Sequence, residues 1–268
     1  MKNNNLFTFI KNKLLLINLS LFLMLFSVFV YAETTTEDYT ITPYRPSVSS
    51  PVQLPLSGHL ELEIGGLSTK NDSAKRNSAP YDLKLAFNEQ WGAVITGEAI
   101  VQTDDEQGSR TYSLGDTSLI LKRAFILDKG TAFGLEAGIK LPTAKDNIGT
   151  GETDYSINSI FSHDFGSIHM DANFNLTHVG FINDGESSIQ KGGAASFSYQ
   201  LSEQIGLIEE LSGVQRRGTP STLQLLTAFT YSPSKILTFD IGIAAGLNRA
   251  SQDYSVFFGA VLPVAKLW

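Results

Sequence analysis

The chain has 268 residues, 42% apolar and 18% charged, with 23 glycines, no cysteine and a formal charge of −7. This excludes a disordered chain, a multi-span helical membrane protein, a disulfide or Cys-ligated metal framework and a basic nucleic-acid-binding surface. The length would suit two domains, but β-barrels of this size form a single one.

Residues 1–32 read as a secretory signal. Lys2, Lys11 and Lys13 form a basic start, Leu14–Tyr31 is almost wholly apolar, and Val30-Tyr31-Ala32 ends on a small residue before polar Glu33–Asp38. That order predicts cleavage after Ala32. The competing reading is an uncleaved anchor, since the apolar run is nearly long enough to span a bilayer. Residues 33–57 carry Pro43, Pro46, Pro51 and Pro55. Proline removes ladder donors, so this stretch reads as an irregular lead-in. It could lie in the periplasm or plug a lumen.

From residue 58 to 268 the pattern has a period of two. Leu60, Leu62 and Ile64 alternate with His59, Glu61 and Glu63. Phe133, Leu135, Ala137, Ile139 and Leu141 alternate with Gly134, Glu136, Gly138 and Lys140. Ile168, Met170, Ala172, Phe174 and Leu176 alternate with His169, Asp171, Asn173 and Asn175. Alternation of this kind marks strands with one apolar and one polar face. Twelve such segments fall near 58–66, 80–88, 91–101, 116–127, 131–141, 154–163, 167–177, 194–202, 205–212, 222–231, 236–246 and 254–268. Short turns at 88–90, 128–130, 164–166, 203–204 and 232–235 alternate with longer polar loops at 67–79, 102–115, 142–153, 177–193, 212–220 and 247–253.

The fold expected is therefore all-β: a transmembrane, antiparallel, up-and-down β-barrel of about twelve strands in the outer membrane. A soluble sandwich alternates too, but needs no asymmetry of loop length. Tyr81, Trp91, Phe133, Tyr155, Phe181, Tyr199, Tyr231, Tyr254 and Trp268 lie near the expected strand ends, where an aromatic girdle belongs. Terminal Trp268 resembles the signal read by the barrel-assembly machinery, the expected protein partner. The other expected partners are outer-membrane lipid and a small-molecule permeant.

Three motifs carry a family resemblance. Tyr44-Arg45-Pro46-Ser47 with Leu54-Pro55-Leu56-Ser57-Gly58-His59-Leu60-Glu61-Leu62-Glu63, then Leu114-Gly115-Asp116-Thr117-Ser118-Leu119-Ile120-Leu121-Lys122, then Gly138-Ile139-Lys140-Leu141-Pro142-Thr143 resemble segments of the MetA-pathway of phenol degradation family. The resemblance runs from Tyr44 to the C-terminus. It implies an outer-membrane barrel linked to uptake of aromatic or other hydrophobic compounds. Ala144 stands where the family's pattern has glycine, and Arg123 where it has an aromatic.

The register places Glu61, Glu63, Asp82, Glu98, Glu136, Asp154, Asp171, Glu210 and Asp240 on the inward face, with Lys84, Lys122 and Lys140. These twelve are the candidate lumen-lining residues. Pairs such as Glu136 with Lys122 would leave a surplus of acids, which predicts cation preference in an open passage. Arg123 and Glu209 fall on the lipid face, so they are expected near a rim, or to be misassigned by one residue.

No catalytic, metal or cofactor site is expected. His169 and His178 are nine residues apart and face opposite sides of one strand, so they do not form a metal pair. No G-x-S-x-G elbow occurs, and Ser162 beside His163, or Thr177 beside His178, point apart. Gly149-Thr150-Gly151 lacks a following helix and reads as a loop tip, and Asp104-Asp105-Glu106 as a solvated loop. A barrel passing small solutes by passive or facilitated diffusion is the first reading. A closed structural or adhesive barrel is the second, and a lipid-modifying enzyme the third. N-terminal sequencing of the exported protein should find Glu33 first; an intact Met1 would mean an uncleaved anchor.

Overall fold

The computed structural model describes residues 39–72, 74–104, 109–145 and 148–268. The expected signal segment with its cleavage site, and Asp105 and Glu106 of the acidic run, lie outside the described residues.

The strands are β1 His59–Asn71, β2 Ala74–Ala86, β3 Trp91–Asp104, β4 Arg110–Ser113, β5 Thr117–Ile126, β6 Thr131–Leu141, β7 Asp154–Phe165, β8 Ile168–His178, β9 Ile189–Gln200, β10 Ile205–Arg216, β11 Thr222–Ser234, β12 Leu237–Gly246 and β13 Tyr254–Lys266. All pair antiparallel with their neighbours. Twelve close a ring: β3 pairs with β5, and β13 returns to β1 through pairs such as Leu62 with Leu262. Short β4 only extends the sheet beside the far half of β3, from Val101–Ser113 to Asp104–Arg110. Among the twelve, closure leaves no open sheet edge of unpaired backbone N–H and C=O groups, which hydrocarbon would not tolerate.

Burial is inverted relative to a soluble sheet. Lys84, Lys122, Glu61 and Glu63 are fully buried, while Phe258 is 63% exposed, Ile241 60%, Ile157 60% and Phe174 52%. Side chains alternate along each strand, so the apolar positions form a continuous outer surface and the charged ones point into the ring. Such a surface suits lipid.

The three prolines inside strands sit at register irregularities. Pro263 lies beside a shift in the β1–β13 ladder, Pro80 in one between β2 and β3, and Pro233 in one between β11 and β12. A bulge frees the residue from the ladder hydrogen bond that proline cannot make.

The loops expected at 142–153 and 247–253 lie between β6 and β7 and between β12 and β13, whereas those at 67–79, 177–193 and 212–220 are shorter than their sequence suggested. Residues 67–71 and 74–79 extend β1 and β2, and Asp72 after β1 is left-handed at φ 47°. The far ends pair polar on polar, Ser68 with Asn77 and Lys70 with Lys75, so no apolar alternation marks them. In the same way β9 begins at Ile189 and β10 runs to Arg216. As a result Tyr81, expected near a strand end, lies well inside β2. At the other end the turns are tight. The carboxylate of Asp128 accepts the Gly130 N–H at 2.9 Å, which holds its pKa below the usual carboxylate range.

Arg123 lies at the short-turn rim, opposite Trp91, the first residue of β3. Its guanidinium lies 4.9 Å from the Trp91 ring and 4.6 Å from Phe125. Glu209 differs from expectation. It stands on the outward face inside β10, exposed, between Phe197 of β9 and Thr227 of β11. An acidic side chain on the lipid face costs less than an arginine at the same depth.

The register makes a direct prediction. Phe174→Arg places a charge on the outer face and should cost ~2–4 kcal/mol near the midplane, cutting the yield of heat-modifiable barrel on SDS gels. Asn175→Arg, one residue on and facing inward, should assemble. Equal loss for both variants would mean the register is wrong.

Candidate functional site

The ring encloses the lead-in. Residues 39–57 form no strand; they enter near the β11–β12 turn, where Ile41 N–H bonds Lys235 C=O. They cross the interior and come back beside β2, where the Ser57 hydroxyl reaches Phe87 C=O at 3.1 Å. Arg45-Pro46 is a cis peptide. Of the two places the sequence left open for this segment, the lumen is the one it occupies.

Inward carboxylates hold it through its main chain. Glu61 accepts the Thr42 N–H at 3.1 Å and the Tyr39 hydroxyl at 2.7 Å. Glu63 accepts the N–H groups of Tyr44 at 2.7 Å and Arg45 at 2.9 Å. Across the ring, Glu210 accepts N–H groups from Val48 and Ser49 and the Ser49 hydroxyl at 2.8 Å. Glu136 accepts the Ser50 hydroxyl at 2.5 Å. A lone extended segment cannot bond its own N–H groups, and buried polar groups demand partners. The carboxylates supply them.

Cations complete the belt. Lys84 lies 2.8 Å from Glu61 and 2.5 Å from Glu63, and its ammonium also reaches Thr42 C=O. Lys122 lies 3.2 Å from Glu136 and donates to Ser50 and to Pro51 C=O. The Tyr44 ring sits between them, 4.3 Å from one ammonium and 4.1 Å from the other, and its hydroxyl donates to Gln53 C=O at 2.8 Å. Arg45 makes a two-pronged contact with Asp240, both arms 3.1 Å. Planar guanidinium matches carboxylate in this geometry.

The other candidate residues are placed as follows. Asp82 stands opposite Glu63 on β1 and Thr96 on β3. Asp171 accepts the Ser162 hydroxyl and lies 3.3 Å from His169, which is also 2.5 Å from Asp164. Glu98, Lys140 and Asp154 are not part of this belt. Glu98 pairs with Arg76 at 2.5 Å. Lys140 bridges Asp154 at 2.9 Å and Asp116 at 3.4 Å, under the loop that follows β6.

The surplus of acids is smaller than the sequence alone suggested. Arg45 and Arg76 add positive charge, main-chain N–H groups serve Glu210, and the Ser162 hydroxyl and His169 serve Asp171. Sequence reasoning missed Arg45, Tyr44, Ser49 and Ser50 as lumen residues, because the lead-in has no periodicity to read. The available signal was its position: a polar, uncharged stretch with one arginine ahead of a ring of inward acids.

Ser162 faces inward to Asp171, whereas neighbouring His163 bonds Thr131 at 2.9 Å. The Thr177 hydroxyl donates to Asn175 at 2.7 Å. Neither hydroxyl meets a histidine. Among the described residues no group of three His, Asp or Glu side chains is placed to hold a metal ion.

Comparison with known proteins gives the fold a context. No family model matches the sequence, and no curated protein sequence matches it significantly. Solved structures do match. One is the COG4313 outer membrane channel from Pseudomonas putida F1, with a TM-score of 0.63 at 13% identity, covering 87% of this chain and all of that one. Another is the NanC porin, at 0.57 and 9% identity, covering 76% of this chain and all of the porin. A third is the KdgM porin in complex with disordered oligogalacturonate, at 0.54 and 7% identity, covering 76% and 99%. The chain has the outer-membrane barrel fold.

Two variants test how the segment is held. Lys84→Met leaves Glu61 and Glu63 without their shared cation and should destabilise the barrel by about 3–5 kcal/mol, read as a lower urea midpoint for unfolding. Glu210→Ala should raise hydrogen–deuterium exchange at Val48 and Ser49 while strand amides keep their protection. Unchanged exchange there would mean the segment is held elsewhere.

Proposed function

We propose that the protein is an outer-membrane barrel that passes small solutes by passive or facilitated diffusion, with residues 39–57 narrowing the passage. The carrying observation is that the lead-in is held without covalent bonds and leaves cavities beside it. One, of about 350 Å³, is lined by residues that include Asp82, Thr96, Ser156 and Ser50. Another, of about 370 Å³, is lined by residues that include Leu67, Leu226, Ala244 and Phe257. The chain contains no nucleotide motif that would couple passage to energy.

The reading includes export with cleavage after Ala32, insertion through the assembly machinery with Trp268 at the recognised end, and an outer surface solvated by lipid. The fold shared with outer membrane channels and porins supports it. The aromatic or hydrophobic permeant implied by the family resemblance would have the apolar recess around Phe257 to occupy. The hydrogen bonds that bind the lead-in favour the second reading, a barrel that stays closed.

Single-channel conductance of refolded protein in planar bilayers separates the two. The wild type should give a small conductance with weak ion preference, because its interior acids are engaged. Replacing residues 43–51 with a Gly/Ser linker of equal length should enlarge the conductance and make it cation-selective, as Glu63, Glu136, Glu210 and Asp240 come to face water. That preference should fade as the Debye length falls from ~8 Å at physiological salt. No conductance from either protein would favour the closed barrel.

A further inference from the structure

We propose that a recess walled by β7 to β11 is a binding subsite for an uncharged, polyhydroxylated solute of about monosaccharide size; this rests on the reading of the lumen as a passage. The recess has a volume of about 350 Å³, and no charged side chain lines it among the described residues. Its polar wall is made of Asn158, Asn173, Asn175, Ser212, Gln224 and Gln252. Side-chain amides present donors and acceptors together without net charge. A hydroxyl group has the same dual character, so a neutral polyol matches this wall.

Some of the wall's bonding capacity is unused. Asn158 spends its amide N–H groups on Glu136 at 2.9 Å and Asn173 at 2.8 Å, while its Oδ1 is buried without a partner. Asn175 accepts the Thr177 hydroxyl, and its own amide N–H groups have no protein acceptor among the described residues. A solute hydroxyl in the recess would accept from the open amide donors of Asn175. Val48 and Val214 add an apolar strip to the same recess, suited to the C–H face of such a solute.

Charged solutes fit poorly. Glu136, which touches Asn158 of this wall, and Glu210 are bonded to Lys122, Ser50 and Ser49, so an incoming ion would lose its water without gaining a counter-charge. A purely apolar solute would leave the amides unpaired, and a hydrogen-bonding site rejects such analogues strongly. The recess around Phe257 would take it instead.

The test uses the refolded full barrel in detergent micelles and in planar bilayers. D-glucose should give saturation-transfer NMR signals with the protein and should transiently block its KCl current. Gluconate, glucosamine and cyclohexanol should give neither effect at this recess. Asn175→Leu should weaken glucose binding about tenfold or more, with assembly checked by heat-modifiable mobility. Phe174→Ala, on the outer face, should bind glucose as the wild type does. Equal binding of gluconate or glucosamine, undiminished binding in Asn175→Leu, or no glucose signal would overturn the subsite. Conductance without a glucose effect fails the subsite alone. A glucose signal in micelles without conductance fails the passage reading and leaves the subsite standing.

Discussion

Backbone groups that face hydrocarbon must all find partners within the protein, and this structure depends on that constraint. It requires the last strand to return to the first, so β13 closes on β1 despite a proline and a bulge in the ladder. With the ring closed, alternation sends Ile241, Phe258 and Phe174 outward and Glu61, Lys84 and Glu136 inward. Surface and interior are thus settled by one geometric rule applied to twelve strands.

Closure creates a second demand inside. The ring buries carboxylates and two lysines in its interior, where an unpaired charge is costly. The lead-in meets that demand with its main chain. Five N–H groups, from Thr42, Tyr44, Arg45, Val48 and Ser49, point at Glu61, Glu63 and Glu210. In return the carboxylates give an extended segment the partners it cannot supply to itself. The belt and the segment therefore stabilise each other, and the conductance of the lumen is tied to how firmly that exchange holds.

The interior is also uneven. Charges concentrate where the lead-in binds, amides line the wall of β7 to β11, and Leu226 and Phe257 line an adjoining recess that shares Gln224 and Gln252 with that wall. A solute passing through would meet these surfaces side by side, so selectivity would rest on how its polar and apolar parts are arranged as well as on its charge.

The alternating residues determined by themselves that the chain is a closed barrel of twelve long strands, and on which face Glu136, Asp171 and Glu210 lie, because a period of two is a local property of a strand. The turns at 88–90 and 128–130 were legible for the same reason. The far halves of β1 and β2 were not: Ser68 and Asn77 are polar on both faces and show no period, yet their backbones still pair. The position of residues 39–57 was decided only by the tertiary structure. Their partners, Asp240 for Arg45 and Glu210 for Ser49, lie 195 and 161 residues away, and no local pattern encodes a contact made possible only when the ring closes.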